Sequence, residues 1–381
     1  MTIARAWLVA TLAVACHHDA PPPARPAPAP AATGSVDFAQ AERVLEALRG
    51  AARGALTPGL IDQVMASPGT DLIVRQQNVS RRVTAAQYRT ILAALGADTA
   101  PAVEPADASE RAARGVRGLR DDVWPALHWG PAHTDLLAER IAALRSLDAG
   151  EQARRMASEW LPDLMLPEVA LHVVMGGRAG AAALDHDIYF DVLITSFRAD
   201  AGRMAYPSPR ETVEFFAHEA HHVGLGQITD RLRRTLVLGE LERRAFDTVV
   251  MLVSEGSATF LINAHRDLAR VRSDPQYKDH LADPERLLAA FEQVLAGGLA
   301  GRLAGEDYDK ALTPYVASGF HSAGALLLDA IHRRDGREGV MAVLRDPRDL
   351  LGRYNAAAPP DQHRFDPALA TRLAGLGSPR S

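Results

Sequence analysis

A chain of 381 residues with 47% hydrophobic content is long enough for one large domain or two lobes, and its composition is ordinary for a globular protein. The formal net charge of −5 argues against nucleic acid as a partner, because that partner usually demands a basic face. Cys16 is the single cysteine, which excludes an intrachain disulfide and a cysteine-based metal site, so any metal must be held by histidines and carboxylates.

Residues 1–15 carry one charge, Arg5, followed by an apolar run from Ala6 to Ala15. That run has the length of a signal-peptide core and about half the length of a membrane-spanning helix. Ala13-Val14-Ala15 fits a small-x-small cleavage site, and Cys16 directly after it resembles the lipid acceptor of bacterial lipoproteins. A lipobox usually has Leu three residues before the Cys, whereas here that place is Ala13 and the nearest Leu is Leu12. The following Pro- and Ala-rich stretch, within 16–36, reads as an extended tether. These features predict export to the bacterial cell envelope and a membrane anchor at Cys16.

From Asp37 the pattern is helical, with apolar residues at three- and four-residue spacing over Phe38–Leu48, Ala85–Leu95, Asp135–Leu147 and Glu151–Trp160. This predicts an N-terminal helical lobe over 37–165. The stretches Val169–Met175 and Ile188–Ile194 read as strands joined through Gly176, Gly177 and Gly180. The second of them is a candidate edge on which an extended peptide could lie as an added strand. Long helices are expected over Leu241–Ala264, Pro284–Leu299 and Pro314–Arg333, with a short C-terminal pair after them. The expected class is α+β, mostly helical, with a small sheet before a motif helix and a catalytic region over 166–381.

Ser208-Pro209-Arg210-Glu211 combines a capping box with Pro in the first turn, so a helix starts there, and Gly224 is the expected stop. Its apolar stripe is Val213, Phe216, Ala217, Ala220 and Val223. On that helix lies His218-Glu219-Ala220-His221-His222. Residues four apart are separated by about 40° around a helix, so His218 and His222 can bind one ion from a single rigid element. Glu219 projects beside them, placed to take a proton from a water activated by the metal. His221 lies near the same face and ranks below His222 as a ligand.

Catalytic zinc takes a third protein ligand and keeps one open position. Glu255 is the leading candidate because Met251, Leu252, Ala258 and Ile262 place it on an apolar stripe, where a carboxylate is costly unless a dication or an arginine pairs with it. Asp247 and Glu240 are weaker candidates. For the developing oxyanion the candidates are Tyr315 first and His321 second, both near the start of a helix preceded by Thr313 and Pro314.

The His-Glu-x-x-His helix followed by Glu255-Gly256-Ser257-Ala258 resembles the gluzincin metallopeptidases, the thermolysin-like group. The Thr313–Gly319 and Asp349–Asn355 segments further resemble a bacterial family described as zinc-dependent peptidases; the likeness spans roughly residues 188–355. The resemblance implies a thermolysin-like core, Zn²⁺, and hydrolysis of a peptide or protein substrate. Gluzincins often carry Asp four residues after the ligand Glu, bonded to the first His, and Thr259 stands there in this chain. Two other functions fit the same residues: a non-catalytic envelope scaffold that retains the helix, and a zinc hydrolase of non-peptide substrates. A scaffold could lose Glu219 without consequence, and an enzyme could not.

Overall fold

The computed structural model describes residues 35–377 apart from 80, 166 and 317, so the expected signal segment and Cys16 lie outside the described residues. The described chain is mostly helical with one four-stranded mixed sheet. Its contacts divide it into two units: one takes the described residues up to Ala153 with Glu168–Phe216, the other Arg154–Pro167 with the chain from Ala217 onward.

The first unit holds the sheet and most of the N-terminal helices. Helices Ala39–Ala52, Ala85–Ala93 and Thr134–Arg145 lie where apolar periodicity predicts them. Two more, Pro58–Met65 and Pro68–Gln77, each begin on a proline, whose missing N–H is harmless in a first turn. The strands are β1 (Val36–Asp37), β2 (Ala170–Val174), β3 (Ala181–Leu184) and β4 (Asp187–Asp191), in the order β1-β2-β4-β3.

This order corrects the expectation for Ile188–Ile194. β4 pairs in parallel with β2 and antiparallel with β3, so both flanks are occupied and no peptide can add to it. The strand also ends earlier than expected. At Val192 the chain enters a helix, Val192–Asp200, because the buried Asp191 carboxylate accepts from the N–H of Ile194 at 2.9 Å and caps it.

One ionic cluster ties three strands together. His172 on β2 places Nδ1 3.3 Å from Asp37 on β1 and Nε2 3.4 Å from Asp187 on β4, and Arg75 sits 2.8 Å from Asp187. Burial alone would depress the imidazole pKa, but Asp187 and Asp37 reverse this and raise it to about 9. A folded-state value above the ordinary 6.5 adds stability that is complete below 6.5 and lost as pH rises through 9. The shift is worth about 3 kcal/mol. Urea unfolding at about pH 6 and about pH 10 should therefore show an alkaline loss in the wild type that is about 3 kcal/mol smaller in His172→Gln. Equal losses in both proteins would remove the assignment.

The second unit is helical. The helix Pro209–Thr235 carries the motif, whose residues all belong to this unit. It opens with the expected box: Ser208 N–H donates to Glu211 at 2.8 Å and Glu211 N–H donates to Ser208 Oγ at 3.3 Å. Gly224 does not stop it, contrary to expectation. A Cβ there would lie 2.3 Å from Leu161 Cδ1, so this glycine answers to close packing rather than to helix termination.

The helix Glu240–Ser257 runs directly into a π-helical turn, Ala258–Asn263. Pro284–Leu299 has its expected bounds, with Asp283 accepting from Arg286 N–H at its start. The helix expected from Pro314 instead begins at Gly319 and reaches Arg345, with a break at Gly336 (φ 63°), and Thr313–Tyr315 forms a separate 3-10 turn. Leu350–Ala357 and Pro367–Ala374 are the C-terminal pair.

Candidate metal centre

Two helices cross at a glycine pair. A Cβ on Gly324 would lie 2.0 Å from the Leu252 carbonyl oxygen, and one on Gly256 would lie 2.3 Å from the Gly324 carbonyl carbon. Only glycine permits so close an approach, and it brings Glu255 on one helix and His321 on the other to a common point. The motif helix supplies His218 and His222 to the same point.

Four donor atoms converge there. The Nε2 atoms of His218 and His222 are 3.0 Å apart, His222 Nε2 is 3.3 Å from Glu255 Oε2, and His321 Nε2 is 3.4 Å from the same oxygen. The donor atoms of His218, Glu255 and His321 all lie within 4.8 Å of one another, and these three residues are buried. Each imidazole is anchored through its other nitrogen: His218 Nδ1 to Asn263 Oδ1, His222 Nδ1 to Ser254 Oγ and His321 Nδ1 to Thr259 Oγ1, each at 2.7 Å. With every Nδ1 engaged outward, every Nε2 faces the centre.

Burial opposes charge on every member, and the partners decide which charges survive. For Glu255 burial would raise the pKa, but the imidazoles of His222 and His321 overturn it and bring it to about 2. For His222 burial is outweighed by Glu255 and Glu219, and its pKa rises. His218 and His321 are pushed down, first by burial and then by the charge on His222. A carboxylate among imidazoles, with His218 and His321 held neutral and His222 having a proton to give up, is a donor set that a zinc ion accepts by displacing that proton.

Glu255 Oε2 is buried and has no hydrogen-bond partner of good geometry, the situation a dication relieves. Donors around tetrahedral zinc, at bonds of 2.0–2.1 Å, stand about 3.3 Å apart. Within the set His218, His222 and Glu255 the spacings of 3.0 and 3.3 Å match this. The residues present fit the ion.

The other sequence candidates have separate places. Glu219 is buried within the motif, where its charge acts on His222. His221 is bonded through Nε2 to Ser257 Oγ at 2.8 Å, and burial lowers its pKa to about 3, so it is a neutral packing residue. Asp247 pairs with Arg233 at 2.7 Å and Glu240 with Arg244 at 3.6 Å, so the arginine pairing weighed for Glu255 occurs at these two instead. Tyr315 lies with its ring against Phe291 at 4.9 Å and His280 at 6.2 Å, whereas His321 is in the cluster.

Sequence reasoning passed over Ser254 and Asn263 and noted Thr259 only as a departure from the gluzincin pattern; the three are the hydrogen-bond partners of the imidazoles on the Glu255 segment. It also passed over Tyr277, whose hydroxyl bonds to Thr259 and whose ring lies 5.3 Å from His321. In α-helical periodicity Ser254, Thr259 and Asn263 do not fall on one face with Glu255, so no regular pattern singles them out.

Residues 130–362 match the sequence profile of the family described as "Putative zinc dependent peptidase (DUF5700)". No curated protein and no solved structure matches the chain.

Proposed function

The chain belongs to this family, and from that premise we propose that it is an exported, lipid-anchored zinc metallopeptidase with a gluzincin-type, thermolysin-like centre. His218, His222 and Glu255 would hold the zinc, with Glu219 as general base. The observation that carries this reading is the convergence of the imidazole Nε2 atoms on the Glu255 carboxylate, with Glu219 buried beside them.

Zinc bound there supplies a Lewis acid that brings the pKa of water toward neutrality and polarises a carbonyl. The Glu219 carboxylate takes the proton of the attacking water as the new C–O bond forms. It then delivers that proton to the amide nitrogen as the C–N bond breaks. His321, whose Nε2 lies 3.4 Å from Glu255 Oε2, would donate to the oxyanion. Tyr277 and Thr259 stand behind its Nδ1 and orient it.

Elemental analysis of the purified protein should give about one zinc per chain, and cleavage of a mixed peptide library should stop on chelation and return with zinc. Zinc without cleavage of peptides or esters would favour the scaffold; cleavage of esters or small amides alone would favour the non-peptide hydrolase. The anchor is tested by fatty-acid labelling, expected in the wild type and lost in Cys16→Ser. Export and anchoring rest on the N-terminal pattern, and the peptidase on the centre, so each can fail without the other.

A further inference from the structure

The Glu255 segment supplies a hydrogen-bond partner for each of the three imidazoles, but the three are not equivalent. Ser254 and Thr259 are hydroxyls, which donate or accept, so neither decides which imidazole nitrogen carries the proton. The amide oxygen of Asn263 only accepts. Its 2.7 Å contact therefore requires His218 to be protonated at Nδ1 and leaves the Nε2 lone pair facing the centre.

Asn263 reaches His218 through an unusual backbone. In a straight α-helix, eight residues advance about 80° beyond two full turns, so Asn263 would look away from the face that carries Glu255. Between them the helix widens to π geometry over Ala258–Asn263, with Ala264 N–H donating to the Thr259 carbonyl at 2.9 Å across five residues. The widening takes up that surplus rotation and returns Asn263 to the working face. Directly after its cap Ala264, two successive non-glycine residues lie in the left-handed region, His265 (φ 52°) and Arg266 (φ 67°). Such residues cost on the order of 1 kcal/mol each. Arg266 N–H closes the turn on the Phe260 carbonyl at 2.7 Å, and its guanidinium lies 5.3 Å over Trp160.

We infer that Asn263 is the positioning residue of His218, and that the π-turn Ala258–Asn263 is the device that aims it. Thr259, which stands where gluzincins often carry the acceptor for the first histidine, is bonded to His321 instead, and the acceptor for His218 lies one turn further on. The inference deepens the zinc reading of the same centre, and its test has an arm that needs no metal.

In the metal-free full-length protein, ring-nitrogen chemical shifts should show His218 as the Nδ1–H tautomer, and Asn263→Leu should shift it toward Nε2–H. Zinc affinity, read by chelator competition, should fall about 10- to 100-fold in Asn263→Leu. It should remain at or above the wild-type value in Asn263→Asp, which keeps an acceptor and adds charge. An unchanged tautomer in Asn263→Leu overturns the inference, as does zinc affinity in Asn263→Asp as weak as in Asn263→Leu. If the Leu variant does not fold, the Asp variant decides: affinity at or above wild type supports the role, and a tenfold loss overturns it. Wild-type protein that binds no zinc but shows the Nδ1–H tautomer would sink the metal reading and leave the positioning contact standing.

Discussion

Glu219→Gln should leave the zinc content unchanged and lower kcat on a cleaved peptide by about 10³-fold, with KM changed little. That loss corresponds to about 4 kcal/mol of transition-state stabilisation, the expected scale for removing a positioned general base. Glutamine preserves the shape of the buried Glu219 side chain and removes only its charge and basicity. The metal should stay for a second reason. The Glu219 charge is one of the causes that hold the His222 pKa up, and a protonated imidazole cannot ligate. Removing that charge makes His222 easier to deprotonate, so zinc binding is held or slightly strengthened. Elemental analysis with steady-state kinetics separates the outcomes. A variant that cleaves as well as the wild type would transfer the protein to the scaffold reading or to another base, and one that loses zinc would show that Glu219 supports the ligands.

What the sequence disclosed was local. The capping box at Ser208, the four-residue spacing of His218 and His222 and the start of the helix at Pro284 depend on neighbours a few residues away, and the structure has them in place. What it concealed depends on residues far along the chain. Gly224 reads as a stop signal until Leu161 is seen packed against it, and nothing within the helix itself predicts Leu161. Gly256 and Gly324 are unremarkable singly and become intelligible as a crossing point only as a pair. The strand at Ile188 has the alternation of any short strand, and its interior position follows from β3, a four-residue alanine-rich stretch that carries little strand signal. Asn263 was hidden twice, since helical periodicity places it on the wrong face and the π-turn that corrects this has no sequence signature. The centre was thus legible as a metal motif, and its outer acceptors were not.

Glu255→Ala should abolish most zinc binding and leave the metal-free protein folded. The ligand set of a tight zinc site shares about 10–16 kcal/mol, so the loss of one carboxylate weakens affinity by on the order of 10²–10³-fold. The apo fold tolerates the change because a buried carboxylate is itself expensive and its charge is sustained mainly by His222 and His321. Once Glu255 is gone, the principal cause that raised the His222 pKa goes with it, and His222 becomes a neutral buried imidazole that needs no counter-charge. Thermal unfolding distinguishes this from general damage. At zinc about 100 times its Kd, the wild type should gain about 2.7 kcal/mol of stability, and Glu255→Ala should gain almost nothing at the same zinc concentration. Asp247→Ala is the matched control, since it removes a carboxylate from the same helix that is paired with Arg233 rather than with the imidazoles. It should cost some stability and keep the full zinc-dependent gain. Undiminished zinc stabilisation in Glu255→Ala would mean that His218, His222 and His321 hold the ion without it, which would move His321 from the oxyanion to the ligand set.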